Sequence, residues 1–400
     1  MVDEFLSSST SVNIKYGFQA FAAELFRQTN RLFFAHFAND SLYTSLPPLL
    51  PVLAAHYGLS TAALGLIPAV YMMTASFLQI IVGHFHDRKN LGLLVPLGLV
   101  MGGVAVASIG FVGNYWLFLV LAFVGGVGSA LFHPIATALS SIASKRSSSI
   151  SFFMTGGDLG LAAGSFISTA AIAFFGLNGT AALLFLPIAA AIVTIKVVKT
   201  HSNPQPLTKP EPLTNVVKLL SKIISVSFLR ASANLTIMTY LPLYLASKGQ
   251  SLTYSGGVLT TTILAGAFGM ISAGFLGDRI GKINTVKIFL IIAAVLIPVA
   301  VLSPVEFAWL TFPLIGFSLF ASHPVLVAVS HDLSPSRLGM ASALIYGFTF
   351  GVANIAVPFI GLGIDAFSYQ STFLTLAALP LTAAALIATV KLPPEKRTIN

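Results

Sequence analysis

Twelve mostly apolar stretches recur along this chain, with short polar loops between all but two of them. They run at about 32–54, 60–82, 92–112, 115–140, 150–175 and 180–196. A second set runs at about 223–246, 254–276, 284–303, 308–331, 340–362 and 371–390. Each is close to the ~20 residues that a helix needs to cross the ~30 Å hydrocarbon core of a bilayer. Lipid offers no partner to a free backbone amide, so such stretches cross as helices. Only 8% of residues are Asp, Glu, Lys or Arg, against roughly 25% in soluble chains. A soluble fold so short of charge cannot cover its own surface. The expected class is therefore an all-α membrane protein with twelve transmembrane helices in two six-helix bundles. Cys is absent, which removes disulfides, thiol catalysis and thiolate metal sites from consideration.

The polar segments set the domain boundaries. Residues 1–31 form an N-terminal segment with no apolar core of a cleavable signal peptide. Within it, Phe18, Phe21, Leu25 and Phe26 alternate with Lys15, Glu24, Arg27 and Arg31. That spacing predicts an amphipathic helix along the membrane surface. An N-terminal bundle is expected over 32–199 and a C-terminal bundle over 223–391. The linker between them, 200–222, carries Pro204, Pro206, Pro210 and Pro212, and a short tail follows at 392–400.

With the N-terminus assigned to the cytoplasm, every Lys and Arg except Lys248 and Arg230 falls in a cytoplasmic loop or end. Such a bias predicts a multi-pass protein of the plasma (inner) membrane with both termini in the cytoplasm. It also accounts for the net charge of +9 without nucleic acid.

Three landmarks repeat at nearly one offset. Gly83-His-Phe-His-Asp87-Arg88 recurs 191 positions later as Gly274-Phe-Leu-Gly-Asp278-Arg279. His133-Pro134 recurs 190 later as His323-Pro324, and Asn39 with Leu46-Pro47 recurs 195 later as Asn234 with Leu241-Pro242. Parallel repeats of this kind, related by an axis along the membrane normal, are a known plan for transporters.

The Gly-x-x-x-Asp-Arg element after the second and eighth helices resembles the loop signature of the major facilitator superfamily. Within it, His36-Phe-Ala-Asn39-Asp40, Phe132-His133-Pro134, Gly156-Gly157 with Gly160 and Gly164, and Gly347-Phe-Thr-Phe-Gly351 resemble the fosmidomycin-resistance branch. The resemblance implies two rocking bundles, with helices one, four, seven and ten lining a central cavity, and usually a monomer. Two positions depart from that branch. Ile135 stands where it usually has an acidic residue, and Asp158 where it usually has Asn.

Charges at membrane depth are the candidates for chemistry, since one at a span centre costs at least ~2.5 kcal/mol. Asp40 shares a helix face with His36 one turn before it and Tyr43 one turn after. It is read as a proton-coupling carboxylate, with a His–Asp packing pair as the alternative. Asp158 is a second candidate protonation site, or the partner of a nearby polar group. Arg230, inside the seventh span, is placed to pair with Asp40 or to meet an anionic substrate; the alternative is snorkelling to the interface. His133 and His323 are candidate substrate contacts or packing histidines at proline kinks. Tyr43, Asn39 and Asn234 complete the candidate substrate set. Gly83, Asp87, Arg88, Gly274, Asp278 and Arg279 are assigned to gating at the cytoplasmic helix ends.

No His-x-x-x-His or carboxylate cluster is visible in the sequence, so no metal site is expected, and no cofactor. Without a nucleotide-binding motif, energy must come from a gradient. The resulting expectation is a proton-coupled exporter of a small anionic or zwitterionic compound. An uptake symporter is the alternative. A membrane enzyme or a non-transporting receptor fits less well, because no nucleophile–base pair is present.

Overall fold

The computed structural model describes residues 28–86, 91–143, 147–200, 213–334 and 338–392, and every regular element among them is helical. The first half comprises α1 (28–44), α2 (Leu46–Tyr57), α3 (Thr61–His86), α4 (Leu94–Ser108), α5 (Tyr115–Ala143), α6 (Ser147–Phe175) and α7 (Phe185–Thr200). The second comprises α8 (Leu213–Ser247), α9 (Leu252–Ile280), α10 (Lys282–Leu302) and α11 (Ala308–Leu333). It continues through α12 (Leu338–Ser342), α13 (Thr349–Ala366), α14 (Tyr369–Leu376) and α15 (Ala378–Ile387). A π-helical turn, Ala343–Phe348, joins α12 to α13. The expected surface helix up to residue 27, Asp87 and Arg88, residues 201–212 and the tail beyond 392 lie outside the described residues.

Nine stretches among the described residues are long and apolar enough to cross a membrane, and one of them, Phe152–Val198, runs through both α6 and α7. The pair α1–α2 and the helix α8 are not among the nine. The first is broken at Ser45, where Pro47 and Pro48 open α2 without donating backbone N–H groups. The second carries Asn234, Thr236 and Thr239 along its middle. Both are interior helices: every residue from Ser41 to Leu50 and from Arg230 to Leu245 is buried. A helix enclosed by other helices has no lipid to face, and so tolerates polar side chains. Elsewhere large apolar side chains point outward, such as Phe166 at 60% and Phe268 at 66% exposure.

Helix α8 starts ten residues before the span expected at 223. Val216 and Leu220, one turn apart, are buried against Ala341 and Leu344. That apolar spacing was hidden among the prolines and lysines of the expected linker.

The duplication appears in three dimensions as reciprocal packing. Helix α3, the second span of its half, packs on α13, while α9, the second span of the other half, packs on α6. Core distribution is less symmetric across the membrane. Away from the terminal end, the one that holds residues 28 and 392 as the first and last described, one hydrophobic core runs through both halves and includes Leu42, Tyr71, Tyr240 and Val357. At the terminal end each half keeps its own. Leu32, Phe132 and Val197 belong to one, and Ile223, Val286 and Val329 to the other. The buried apolar core is thus shared by the halves at one end and divided between them at the other.

Candidate functional site

The site is built on a seam between α1 and α6. A Cβ at Gly156, Gly160 or Gly164 would run into the backbone carbonyls of Phe33, Phe37 and Ser41 respectively. Both sets are spaced by four, so the two helices lie backbone to backbone, as the glycine pattern predicts. The close approach brings the Phe153 carbonyl within 2.8 Å of His36 Nδ1 and stacks the two rings at 4.2 Å.

Asp40 is the centre of a hydrogen-bonded group. His36 Nε2 stands 3.2 Å from its Oδ2, and His133 Nε2 of α5 stands 3.1 Å from its Oδ1. Asn39 Nδ2 donates to Asp40 Oδ1 at 2.9 Å and to Ser129 Oγ at 3.2 Å. Sequence spacing places His36 beside Asp40, but nothing local indicates that His133 completes the group. Expected to line a cavity, it also holds the carboxylate.

Tautomers follow from these partners. A carbonyl oxygen only accepts, so His36 Nδ1 must donate to Phe153 O. His133 Nδ1, 3.1 Å from Ser129 O and from Ser129 Oγ, donates in the same way. Each Nε2 therefore meets a carboxylate oxygen across a gap that is attractive only when a proton lies in it. With a proton in both gaps the triad carries a net positive charge. Removing one leaves it neutral and breaks one contact.

A cavity of about 170 Å³ adjoins the triad, with walls from both halves. Asn39, Asp40, Tyr43, Ser129 and His133 make a polar wall, while Leu235, Met238, Leu259, Ile263, Phe320 and Phe350 make an apolar one. Tyr43 Oη, Asn39 Oδ1 and Asn234 Oδ1 have no hydrogen-bond partner among the described residues, and all three side chains line the cavity.

The remaining candidates are placed differently. Arg230 is 1% exposed, its Nη1 donating to Leu319 O at 3.2 Å. It does not snorkel, and Asp40 pairs with histidines of its own half instead. His323 is also buried. The Arg230 guanidinium lies 5.4 Å and the His323 ring 5.1 Å from the ring of Phe350. Phe350 lines the cavity, whereas Arg230 and His323 pack on its ring and are not among the lining residues. Asp158, half-buried on α6 next to Gly157, acts electrostatically on His36 and Asp40.

At the terminal end, Gly83 lies near Pro134, while Gly274, Asp278 and Arg279 are exposed on the last turns of α9. The ion pair seen there joins Lys282 to Asp332 at 2.6 Å, linking α10 to the end of α11. Sequence reading did not single out Asp332.

The profile described as the Major Facilitator Superfamily matches residues 32–345. The chain belongs to the major facilitator superfamily. It is a membrane transporter and not an enzyme. The fosmidomycin resistance protein of Escherichia coli (strain K12) is 24% identical over 359 residues, covering 87% of this chain and 88% of its own length. The uncharacterized MFS-type transporter YfnC of Bacillus subtilis (strain 168) is 27% identical over 368 residues, with 86% and 88% covered. Among solved structures, an inward-facing, occupied bacterial homolog of the human lysosomal transporter Spinster superposes with a TM-score of 0.75 at 14% identity. That alignment covers 92% of this chain and 96% of the homolog. The nucleoside transporter NupG superposes at 0.74 with 13% identity, covering 91% and 100%. At such identities these two structures establish the superfamily's fold for this chain.

Proposed function

We propose that this major facilitator protein is a proton-coupled secondary transporter exporting a small anionic or zwitterionic compound by alternating access. One observation carries the reading. The Asp40 carboxylate sits between two imidazole Nε2 atoms at the edge of a cavity shared by both halves. A proton in either gap is held at membrane depth, where charge is costly and proton relays are built. Separate cores at the terminal end and a joined core at the other support access from the terminal side in this state. The distribution of Lys and Arg supports a cytoplasmic position for that side, in the plasma (inner) membrane.

Substrate chemistry follows from the walls. Three side-chain oxygens without a partner among the described residues, those of Asn39, Tyr43 and Asn234, set among apolar side chains suit a small compound with one polar end. The buried Arg230 guanidinium beside the cavity favours a compound that carries negative charge, and the fosmidomycin-resistance relative supports a drug-like compound. The protein is proposed to act as a monomer, with Gly83, Asp87, Arg88, Gly274, Asp278 and Arg279 at the terminal-end gate.

Proteoliposomes with an internal pH dye test the reading, with candidate compounds added on each side in turn. Compound-dependent proton flux that disappears in Asp40→Asn is expected. Flux that follows a compound and survives the substitution removes Asp40 from coupling. The direction of flux separates export from uptake.

A further inference from the structure

His36, Asp40 and His133 offer three ligand atoms that all lie within 4.8 Å of one another. We propose that this triad binds a divalent transition-metal ion of the Zn2+ class, with an open coordination position facing the cavity. The expectation of no metal site rested on sequence spacing, which does not show that His133 folds onto Asp40.

Three features support the site. First, both Nδ1–H groups are committed to backbone carbonyls, of Phe153 at 2.8 Å and Ser129 at 3.1 Å. In neutral imidazoles this leaves both Nε2 lone pairs aimed at one carboxylate. Histidines that bind metals are held in this way, with the second ring N–H donated to an acceptor. Second, the distances fit. With bonds of ~2.0–2.1 Å to nitrogen and oxygen, tetrahedral ligands stand roughly 3.3 Å apart. His36 Nε2 stands 3.2 Å from Asp40 Oδ2 and His133 Nε2 stands 3.1 Å from Oδ1, so each nitrogen is near that spacing from its own oxygen of the one carboxylate. Third, Gly157 leaves the triad's face clear: a Cβ there would lie 2.6 Å from His36 Nε2 and 2.7 Å from Asp40 Oδ2.

Ligand type sets the ion. Two imidazoles and a carboxylate suit Zn2+, Co2+ or Fe2+, whereas Mg2+ and Ca2+ take oxygen donors. Three protein ligands leave a fourth position, and Asp40 and His133 both line the cavity. The ion is therefore exchangeable rather than structural. The carboxylate offsets one of its two charges, and the remainder faces an oxygen donor arriving through the cavity. Bound metal takes the place of the protons in the two gaps. The inference stands on ligand geometry and holds whether or not the triad couples transport to protons.

The test uses the full chain in detergent, without a histidine tag and stripped of metal, in the absence of any pH gradient. Titration with Co2+ is expected to give visible ligand-field absorption that saturates near one ion per chain and is displaced by Zn2+. Mg2+ and Ca2+ should give no displacement. The double variant H36Q/H133Q, if it elutes as a monodisperse peak, should bind Co2+ at least about tenfold more weakly. X-ray absorption at the Zn edge of the unaltered protein should show imidazole scattering. No Co2+ absorption, full affinity in the folded double variant, or a Zn spectrum without imidazole would each overturn the proposal.

Discussion

The carboxylate of Asp365, at the end of α13, accepts the backbone N–H of Thr61 at 2.7 Å and of Ala62 at 2.9 Å. Its partners open α3, 304 positions earlier in the chain and in the other half. An acidic group at a helix start is a capping arrangement normally made within a few residues. Here it joins the two halves at the end away from residues 28 and 392.

Asp365→Ala is expected to weaken that junction. A cap is worth ~0.5–2 kcal/mol, and exposure puts this one near the lower end. The halves should then part at that face two- to five-fold more often. Spin-label distances between Ala55→Cys and Phe367→Cys, in a chain with no other Cys, will read the change. An unaltered distance distribution would count against the cap as a latch.

Gly157 and Gly274 should respond in opposite ways to Ala. At Gly157 the added methyl collides with His36 and Asp40, whereas nothing lies within 4 Å of a Cβ at Gly274. Gly157→Ala is expected to cut transport more than about tenfold and to cost ~1–3 kcal/mol of stability through overpacking. Gly274→Ala should leave the melting temperature within about a degree. Thermal unfolding in detergent, run beside transport assays, separates the two.

Phe350 lines the cavity and packs on Arg230 and His323, which are not among the lining residues. Phe350→Ala should let a negatively charged compound approach the guanidinium. Apparent affinity for an anion should change severalfold relative to a neutral analogue, with a smaller change in maximal rate. Equal changes for both would show that the ring only fills space.

Asp332 and Lys282 form a partly exposed ion pair. Such pairs contribute ~0.2–1 kcal/mol. A double-mutant cycle of Asp332→Asn with Lys282→Gln, followed by thermal unfolding, should return a coupling in that range and lose most of it in high salt.

Much of the architecture was legible in the chain because its causes are local or periodic. Apolar runs, repeated landmarks and the Gly156–Gly160–Gly164 spacing each predict a feature that the helices adopt. His36 and Asp40 were legible together because four residues make one helical turn. Contacts between helices distant in sequence were not. No periodicity joins His133 to Asp40, or Asp365 to Thr61. Arg230 and His323 were singled out as polar groups inside apolar spans and both are buried, but the ring they share, Phe350, belongs to another helix. The start of α8 was missed for a different reason: two buried apolar residues were outnumbered by charged and proline neighbours.

All of the triad, and the carbonyls that fix its tautomers, come from α1, α5 and α6. In the proposed alternating-access cycle a rocking motion would carry the whole group as a passenger of one bundle, its internal distances unchanged. What differs between the two stances is the opposite wall sliding past it, and so the water admitted. Any affinity difference between the two faces of the membrane would then arise from hydration and from approaching neighbours, with the geometry of His36, Asp40 and His133 itself held constant.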